Sequence, residues 1–253
     1  MDKEVSILIL THNAPKYVRE TIETLNEVTC PEDRRIMEII VWDNASESET
    51  IDILHELKNR NYIDTLHLSD ENLLFAGGNN ACAKLASKET ELYLLLNSDV
   101  RIVDPHWYRV LKNAKVKGNY VVASYGTCDN PTRVDGYCYL IDRDFYDNEP
   151  LDENFQWFYG ITKQQAIALK NGQNILGFYA HEHLLIHYGG KSGIDFKNAK
   201  GLDISQAEIL KWYESKQGGE VIIKIAPGKN IYIYKFKQIL KKIRNKIARH
   251  CKK

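Results

Sequence analysis

Leu92-Tyr93-Leu94-Leu95-Leu96-Asn97-Ser98-Asp99 is the stretch whose reading decides the fold. An unbroken apolar run of this length reads as a strand buried on both faces, the kind found in parallel sheets. It ends in a carboxamide, a hydroxyl and a carboxylate. In open α/β sheets, ligands bind where the strands end. Oxygen donors there suit a hard cation, Mg²⁺ or Mn²⁺, shared with substrate phosphates. The same three residues also suit an Asx turn that merely closes the strand. What the other strands carry decides between the two.

Val5-Ser6-Ile7-Leu8-Ile9-Leu10 is a second apolar strand, followed by Thr11-His12-Asn13. A third, Ile36 to Trp42, runs into Asp43-Asn44-Ala45-Ser46. Between them Tyr17, Val18, Ile22 and Leu25 recur at helical spacing, and Ile51, Ile53, Leu54 and Leu57 do so after the third strand. Strand and helix alternate three times before Asp99, which predicts right-handed βαβ units and a parallel sheet. Asp43 at a strand end can accept charge-assisted hydrogen bonds from a base imide or a ribose hydroxyl, or it can cap the helix expected near Ser48. In Asn72-Leu73-Leu74-Phe75-Ala76-Gly77-Gly78-Asn79-Asn80 the glycine pair is expected to open a helix. Gly77 and Gly78 permit positive φ and a close backbone approach to a ligand, and the helix N-terminus would face an anion; an ordinary tight turn is the alternative. No Gly-x-Gly-x-x-Gly occurs, so this is no dinucleotide fingerprint.

Together, in this order and spacing, Thr11-His12-Asn13, Asp43 to Ser46, Asn72 to Asn80 and Leu95 to Val100 resemble the family 2 glycosyltransferases of the GT-A fold. The resemblance is close over residues 4–105 and looser to about 195. It implies a GT-A Rossmann-like α/β fold, a mostly parallel sheet flanked by helices. It implies transfer of a sugar from a UDP- or dTDP-linked donor to a glycan or lipid-linked oligosaccharide hydroxyl in surface polysaccharide synthesis. Asp99 would sit in the metal motif, with Asn97 in place of its first aspartate and Mn²⁺ or Mg²⁺ as cofactor. Thr11 and Asn13 would line the nucleotide pocket and Asp43 would contact the base. Asn44, Ser46, Asn72, Gly77, Gly78, Asn79, Asn97 and Ser98 would complete the donor site. His187-Tyr188-Gly189-Gly190-Lys191-Ser192-Gly193 resembles the stretch that closes the family's core. His187 there completes the metal shell, a role imidazole suits, though a lone histidine after an apolar pair is also often structural. Gly189, Gly190 and Gly193 suggest a loop that closes over the pyrophosphate, where Lys191 would neutralise the leaving group.

One departure concerns the general base. Leu151-Asp152-Glu153-Asn154-Phe155 resembles the turn that precedes the family's glutamate–aspartate pair, and Ile161 and Thr162 stand where those carboxylates would be. Neither accepts a proton at neutral pH. An inverting transfer needs a base on the acceptor side, and the sequence leaves Asp135, Asp152 and Glu153 as catalytic candidates, with His181, Glu182 and His183 alternating along an expected strand. Asp152 and Glu153 also suit a capping role ahead of a helix expected over 163–171. A retaining transfer, or a non-catalytic nucleotide-sugar or glycan-binding descendant, would tolerate the departure. A nucleotidyltransferase would show a basic glycine-rich loop after the first strand, where Thr11-His12-Asn13-Ala14-Pro15 stands instead.

The chain has 253 residues and zero formal net charge, which gives no global field for nucleic acid. Five cysteines without zinc-type spacing favour a reducing cytoplasm. No apolar run reaches the ~20 residues of a membrane span. The expected organisation is a GT-A domain over 1–226, with a donor half (1–105) and an acceptor-side half (106–226). After Pro227-Gly228 a basic amphipathic helix is expected. From Lys235 to Lys253 there are nine Lys and Arg and no acid, while Phe236, Ile239, Leu240, Ile243 and Ile247 recur at helical spacing. That signature fits peripheral contact of residues 231–253 with an anionic membrane, at the inner face of the cell membrane; a helix packed on the core is the alternative.

Overall fold

A computed structural model describes residues 3–191, 202–214 and 218–229, with Tyr232, Tyr234 and Phe236. The expected basic helix over 231–253 therefore lies outside the described residues apart from those three positions. The first half comprises β1 (Val5–Thr11), α1 (Pro15–Val28), the short α2 (Pro31–Arg35), β2 (Met37–Asn44), α3 (Ser48–Asn59), β3 (Thr65–Ser69), α4 (Leu74–Ala83) and β4 (Leu92–Asn97). Then come β5 (Val100–Ile102), α5 (Trp107–Lys117), β6 (Val122–Tyr125), β7 (Thr127–Cys128), β8 (Arg133–Val134), β9 (Cys138–Asp142), α6 (Arg143–Asn148) and α7 (Phe158–Lys170). The last described elements are β10 (Ile175–Tyr179), β11 (Leu185–His187), α8 (Gln206–Glu214) and β12 (Val221–Ile225).

Eight strands form one sheet in the order β12-β10-β6-β9-β4-β1-β2-β3. Only β9 runs against its neighbours, pairing antiparallel with β4 and β6. The mostly parallel sheet read from the sequence is thus observed. The apolar strands serve two cores at once. Val5, Ile7, Ile9, Leu92, Leu94 and Leu96 face α1, α3 and α5, while Leu8, Tyr93 and Leu95 face α4, α6 and α7. Burial on both faces is why these strands read as continuous runs rather than alternations.

Register positions the site. Thr11 pairs with Asp43, and Leu10 with Asn97, so the polar tails of β1, β2 and β4 end side by side. A separate antiparallel ribbon of β5 and β11 pairs Val100 with His187 and so returns the histidine beside Asp99.

The glycine pair behaves differently from expectation. Helix α4 begins at Leu74, so Gly77 and Gly78 lie inside it, and the left-handed residue at its start is Leu74 itself, at φ 58°. Gly78 serves packing: a Cβ there would lie 2.4 Å from Leu10 Cδ1 and 3.1 Å from Asn44 Nδ2. Gly78→Ala should therefore destabilise by about 1 kcal/mol net, overpacking outweighing the gain in helix propensity. A urea midpoint equal to or above that of the parent would refute this close-packing role.

Candidate active site

One cleft of about 320 Å³ opens where the strands end. Leu10, Thr11 and His12 reach it from β1, Asn44 from β2, and Leu96 to Asp99 from β4. Asn72, Leu74, Phe75 and Asn79 line it from the turn into α4. Asp135 to Tyr137, Trp157, Phe158 and Ile161 form the opposite side, and His187 and Gly190 close the end after β11.

Asp99 and His187 make the polar corner. Asp99 is 2% exposed, and His187 Nε2 lies 3.2 Å from its Oδ1. That approach lacks hydrogen-bond geometry, so among the described residues Oδ1 is buried without a donor. Among the described residues its other oxygen, Oδ2, accepts only a long bond from the Lys191 backbone N–H, at 3.4 Å. The Asn97 amide stands 3.5 Å from His187 Nε2. A buried carboxylate oxygen short of donors, beside an imidazole nitrogen, is a donor set that fits Mn²⁺ or Mg²⁺. The Tyr137 ring stacks on His187 at 4.1 Å with 18° between planes, which fixes the imidazole plane. The Lys191 ammonium, by contrast, lies 6.0 Å from the Tyr17 ring, towards α1; of the described part of that loop Gly190 lines the cleft, and Gly193 lies outside the described residues.

Asp43 works one layer back. It is fully buried; Oδ1 accepts from Thr11 Oγ1 at 2.7 Å and Ser46 Oγ at 2.5 Å, and Oδ2 from the Ser46 N–H at 2.8 Å. Asn13 joins the same knot, its N–H donating to Ser46 Oγ at 2.7 Å and its Oδ1 accepting from Glu47 N–H at 2.8 Å. Glu47, not Asp43, occupies the N-cap of α3. Asp43, Asn13 and Ser46 do not line the cleft; they lock together the tails that carry Thr11, His12 and Asn44 into it. Asn44 in turn donates to Leu74 O at 3.1 Å and ties β2 to the start of α4.

Across the cleft Asp135 is the only carboxylate candidate for the base that reaches the lining. Its Oδ1 accepts from Gly136 N–H at 2.8 Å. Asp152 is turned away: its Oδ2 pairs with Lys163 Nζ at 2.5 Å, and its Oδ1 accepts from Asn154 N–H and Nδ2. Partial burial opposes the shift, but the Lys163 ammonium and the Asn154 donors hold Asp152 below the usual carboxylate range. Glu153 accepts from Asn80 Nδ2 at 3.1 Å, beside Gly77, and also lies outside the lining. Helix α7 starts at Phe158, five residues ahead of the expected 163, and this places Ile161 and Thr162 inside it, at its fourth and fifth positions. Both are buried: Ile161 presses on Gly136, and Thr162 Oγ1 donates to Phe158 O at 2.6 Å.

His181, Glu182 and His183 do not alternate along a strand; β10 ends at Tyr179 and the trio turns towards β11. The break follows Ala180, which takes a left-handed φ of 56°. His181 Nε2 bonds the Tyr137 hydroxyl, and His183 Nε2 lies 2.7 Å from Pro227 O. Burial holds His181 below its ordinary value, against the opposing pull of Glu182 and Asp135. The unfolded chain then takes up a proton near pH 6.5 that the folded chain refuses, so this histidine makes stability fall as pH drops through that value. The expected slope is at most about 1.4 kcal/mol per pH unit, and His181→Gln should remove it. Urea midpoints at pH 7.5 and 5.5 provide the check, and an equal drop in both proteins would disprove it.

Residues 6–178 match the sequence family described as Glycosyl transferase family 2. The chain belongs to that family. No curated protein shows significant sequence similarity to it. Among solved structures, it resembles the Pyrobaculum calidifontis mannosyltransferase PcManGT in complex with GDP-Man and Mn²⁺ (12% identity, TM-score 0.58, 69% of this chain and 54% of that one). It also resembles S. aureus TarS in complex with UDP (16% identity, TM-score 0.52, 64% and 55%). A third is GalNAc-T7 with UDP, GalNAc and Mn²⁺ (13% identity, TM-score 0.55, 68% and 41%). The chain spans about half the length of these proteins or less, and the likeness is one of fold, the GT-A fold.

Of the residues expected at the donor, metal and catalytic positions of this family 2 member, Thr11, Asn44, Asn72, Asn79, Asn97, Ser98, Asp99, Asp135 and His187 line this cleft. Sequence reasoning missed His12, Tyr137, Trp157 and Phe158. The first two sit inside quoted motifs; the aromatic pair carries no periodic signal. Elsewhere, Cys30, Asp33 and His106 place donor atoms within 4.8 Å of one another. There Arg109 already bonds Asp33 Oδ1 at 2.9 Å, and the Cys30 thiol donates to Asp33 Oδ2 at 3.1 Å.

Proposed function

We propose that this family 2 protein is a metal-dependent transferase. It would move a sugar from a nucleotide-diphosphate donor, UDP- or dTDP-linked, to a glycan or lipid-linked oligosaccharide hydroxyl in surface polysaccharide synthesis. The observation that carries the reading is the placement, in one cleft, of an under-bonded buried carboxylate with its imidazole partner on one wall and Asp135 on the other. Asp99 and His187, with Asn97 beside them, would hold Mn²⁺ or Mg²⁺; the ion supplies charge stabilisation for a departing diphosphate. Thr11, Asn44, Asn72, Asn79 and Ser98 would orient the donor, with Asp43, Asn13 and Ser46 keeping their strand ends in place. Lys191 would reach the leaving group by rotating from Tyr17. Asp135 would take the proton from the acceptor hydroxyl as that oxygen attacks the anomeric carbon and the nucleotide diphosphate leaves. Asp152 and Glu153 rank behind it, since neither lines the cleft.

The division into a donor half (1–105) and an acceptor-side half (106–226) belongs to the same proposal. So does peripheral contact with an anionic membrane through residues 231–253, which rests on the sequence of that segment alone. Among the described residues no helix is long and apolar enough to cross a membrane.

A panel of UDP-, dTDP- and GDP-sugars, scored for hydrolysis and for thermal shift with and without Mn²⁺, tests the reading. Metal-dependent hydrolysis is the expected result. Ile161 in place of a carboxylate favours a second reading, a binding protein without turnover, and binding without hydrolysis of any donor would establish that instead.

A further inference from the structure

We infer that Trp157 and Phe158 form an aromatic platform that takes the acceptor as a neutral sugar ring, its C–H face stacked on the indole and phenyl faces. The inference rests on the transferase reading above.

Position comes first. Phe158 and Ile161, three apart at the start of α7, and Trp157 at its N-cap all line the cleft on the side of Asp135 and Gly136. Ile161 packs on Gly136, the neighbour of Asp135. Gln165, one turn further, brackets Val134 with bonds to its N–H at 2.9 Å and its carbonyl at 3.0 Å, which fixes α7 against this segment. A hydroxyl presented to Asp135 therefore belongs to a group lying along the Ile161–Trp157–Phe158 surface.

Charge comes second. Among the described residues the cleft lining contains no Lys or Arg; the Arg133 guanidinium stands 6.0 Å from the Phe158 ring, with its Nη1 donating to the carbonyls of Asp129 and Pro131. An acceptor ring bearing a carboxylate or sulfate would find no cation in that lining, since Lys191 is assigned to the leaving group and Arg133 Nη1 is taken by backbone carbonyls, whereas a neutral ring needs only apolar area and a few hydroxyl partners.

The third observation is the backbone. Trp157 sits at φ 48°, ψ −132°, a region L-residues rarely enter and one that costs about 1–3 kcal/mol. The preceding loop enforces it: buried Gln156 donates to Glu153 O at 2.8 Å and accepts from Ala76 N–H at 3.1 Å. Phe158 meanwhile stays 48% exposed although it lines the cleft, with Tyr159 4.2 Å from one side of the ring. A strained indole and a half-exposed phenyl, side by side in a cleft, give little to the core. Stacking on a ligand is the gain that offsets both costs.

The test uses methyl β-glucoside, methyl β-galactoside, methyl N-acetyl-β-glucosaminide and methyl β-glucuronide as probes, read by saturation-transfer NMR on the full chain. The wild-type protein should transfer saturation to the ring C–H protons of a neutral glycoside and less to the glucuronide. Trp157→Gly should weaken that binding about tenfold or more, and Phe158→Ala less so. Because glycine tolerates positive φ, Trp157→Gly should also keep or raise the urea midpoint, which separates lost stacking from lost folding. Unchanged transfer in Trp157→Gly, a preference for the glucuronide, or a large fall in its midpoint would each overturn the platform; the last would make the indole a core side chain. The donor panel reports separately: if a donor turns over while glycosides ignore Trp157, only the platform fails.

Discussion

Asp99→Ala is expected to lower sugar transfer by about 10³-fold or more, the equivalent of the several kcal/mol that a bound metal contributes to a departing charge. Metal-dependent nucleotide binding should vanish with it. Stability should hold or rise, because the substitution removes a buried carboxylate whose Oδ1 has no donor among the described residues. Equilibrium unfolding and isothermal titration of Mn²⁺ with nucleotide measure the two sides of this result. A folded Asp99→Ala protein that still binds nucleotide in a Mn²⁺-dependent way would remove Asp99 from the metal site.

Asp135→Asn should reduce turnover by about 10²–10⁴-fold, the usual cost of losing a general base, while leaving the donor's dissociation constant unchanged. Asparagine keeps the acceptor that bonds Gly136 N–H, so the local turn survives. Full turnover in this variant would shift attention to Asp152 and Glu153, which would then have to leave their bonds to Lys163 and Asn80.

Much of this was legible because apolar runs, and the polar residues that end them, are local features. The strands ending at Thr11, Asn44 and Asn97 needed no long-range information to find. Long-range relations were less visible. Nothing near Gly78 in the sequence shows Leu10 against it, so the sequence reads as a helix-opening turn where Gly78 is a contact between helix and sheet. Asp43 was readable as a polar strand end, but its bonds to Thr11 and Ser46 depend on the register of β1 with β2. The start of α7 was hidden for another reason: Trp157 adopts a conformation no propensity scale favours, and the helix begins directly after it. His187 emerged only as half of a pair whose other half lies far back along the chain.

That separation has a thermodynamic side. Asn97 and His187 stand 90 residues apart yet within 3.5 Å. Three residue pairs of the β5–β11 ribbon hold the later partner in place. An ion ligated by Asp99 and His187 together would be held only while both ends are in place, so it would bind the folded chain and not the unfolded one. Ligand binding would then act as a reversible staple between the early and late parts of the fold, raising the melting temperature with the logarithm of ligand concentration. Proteolysis near Gly189 and Gly190 should slow in step with it.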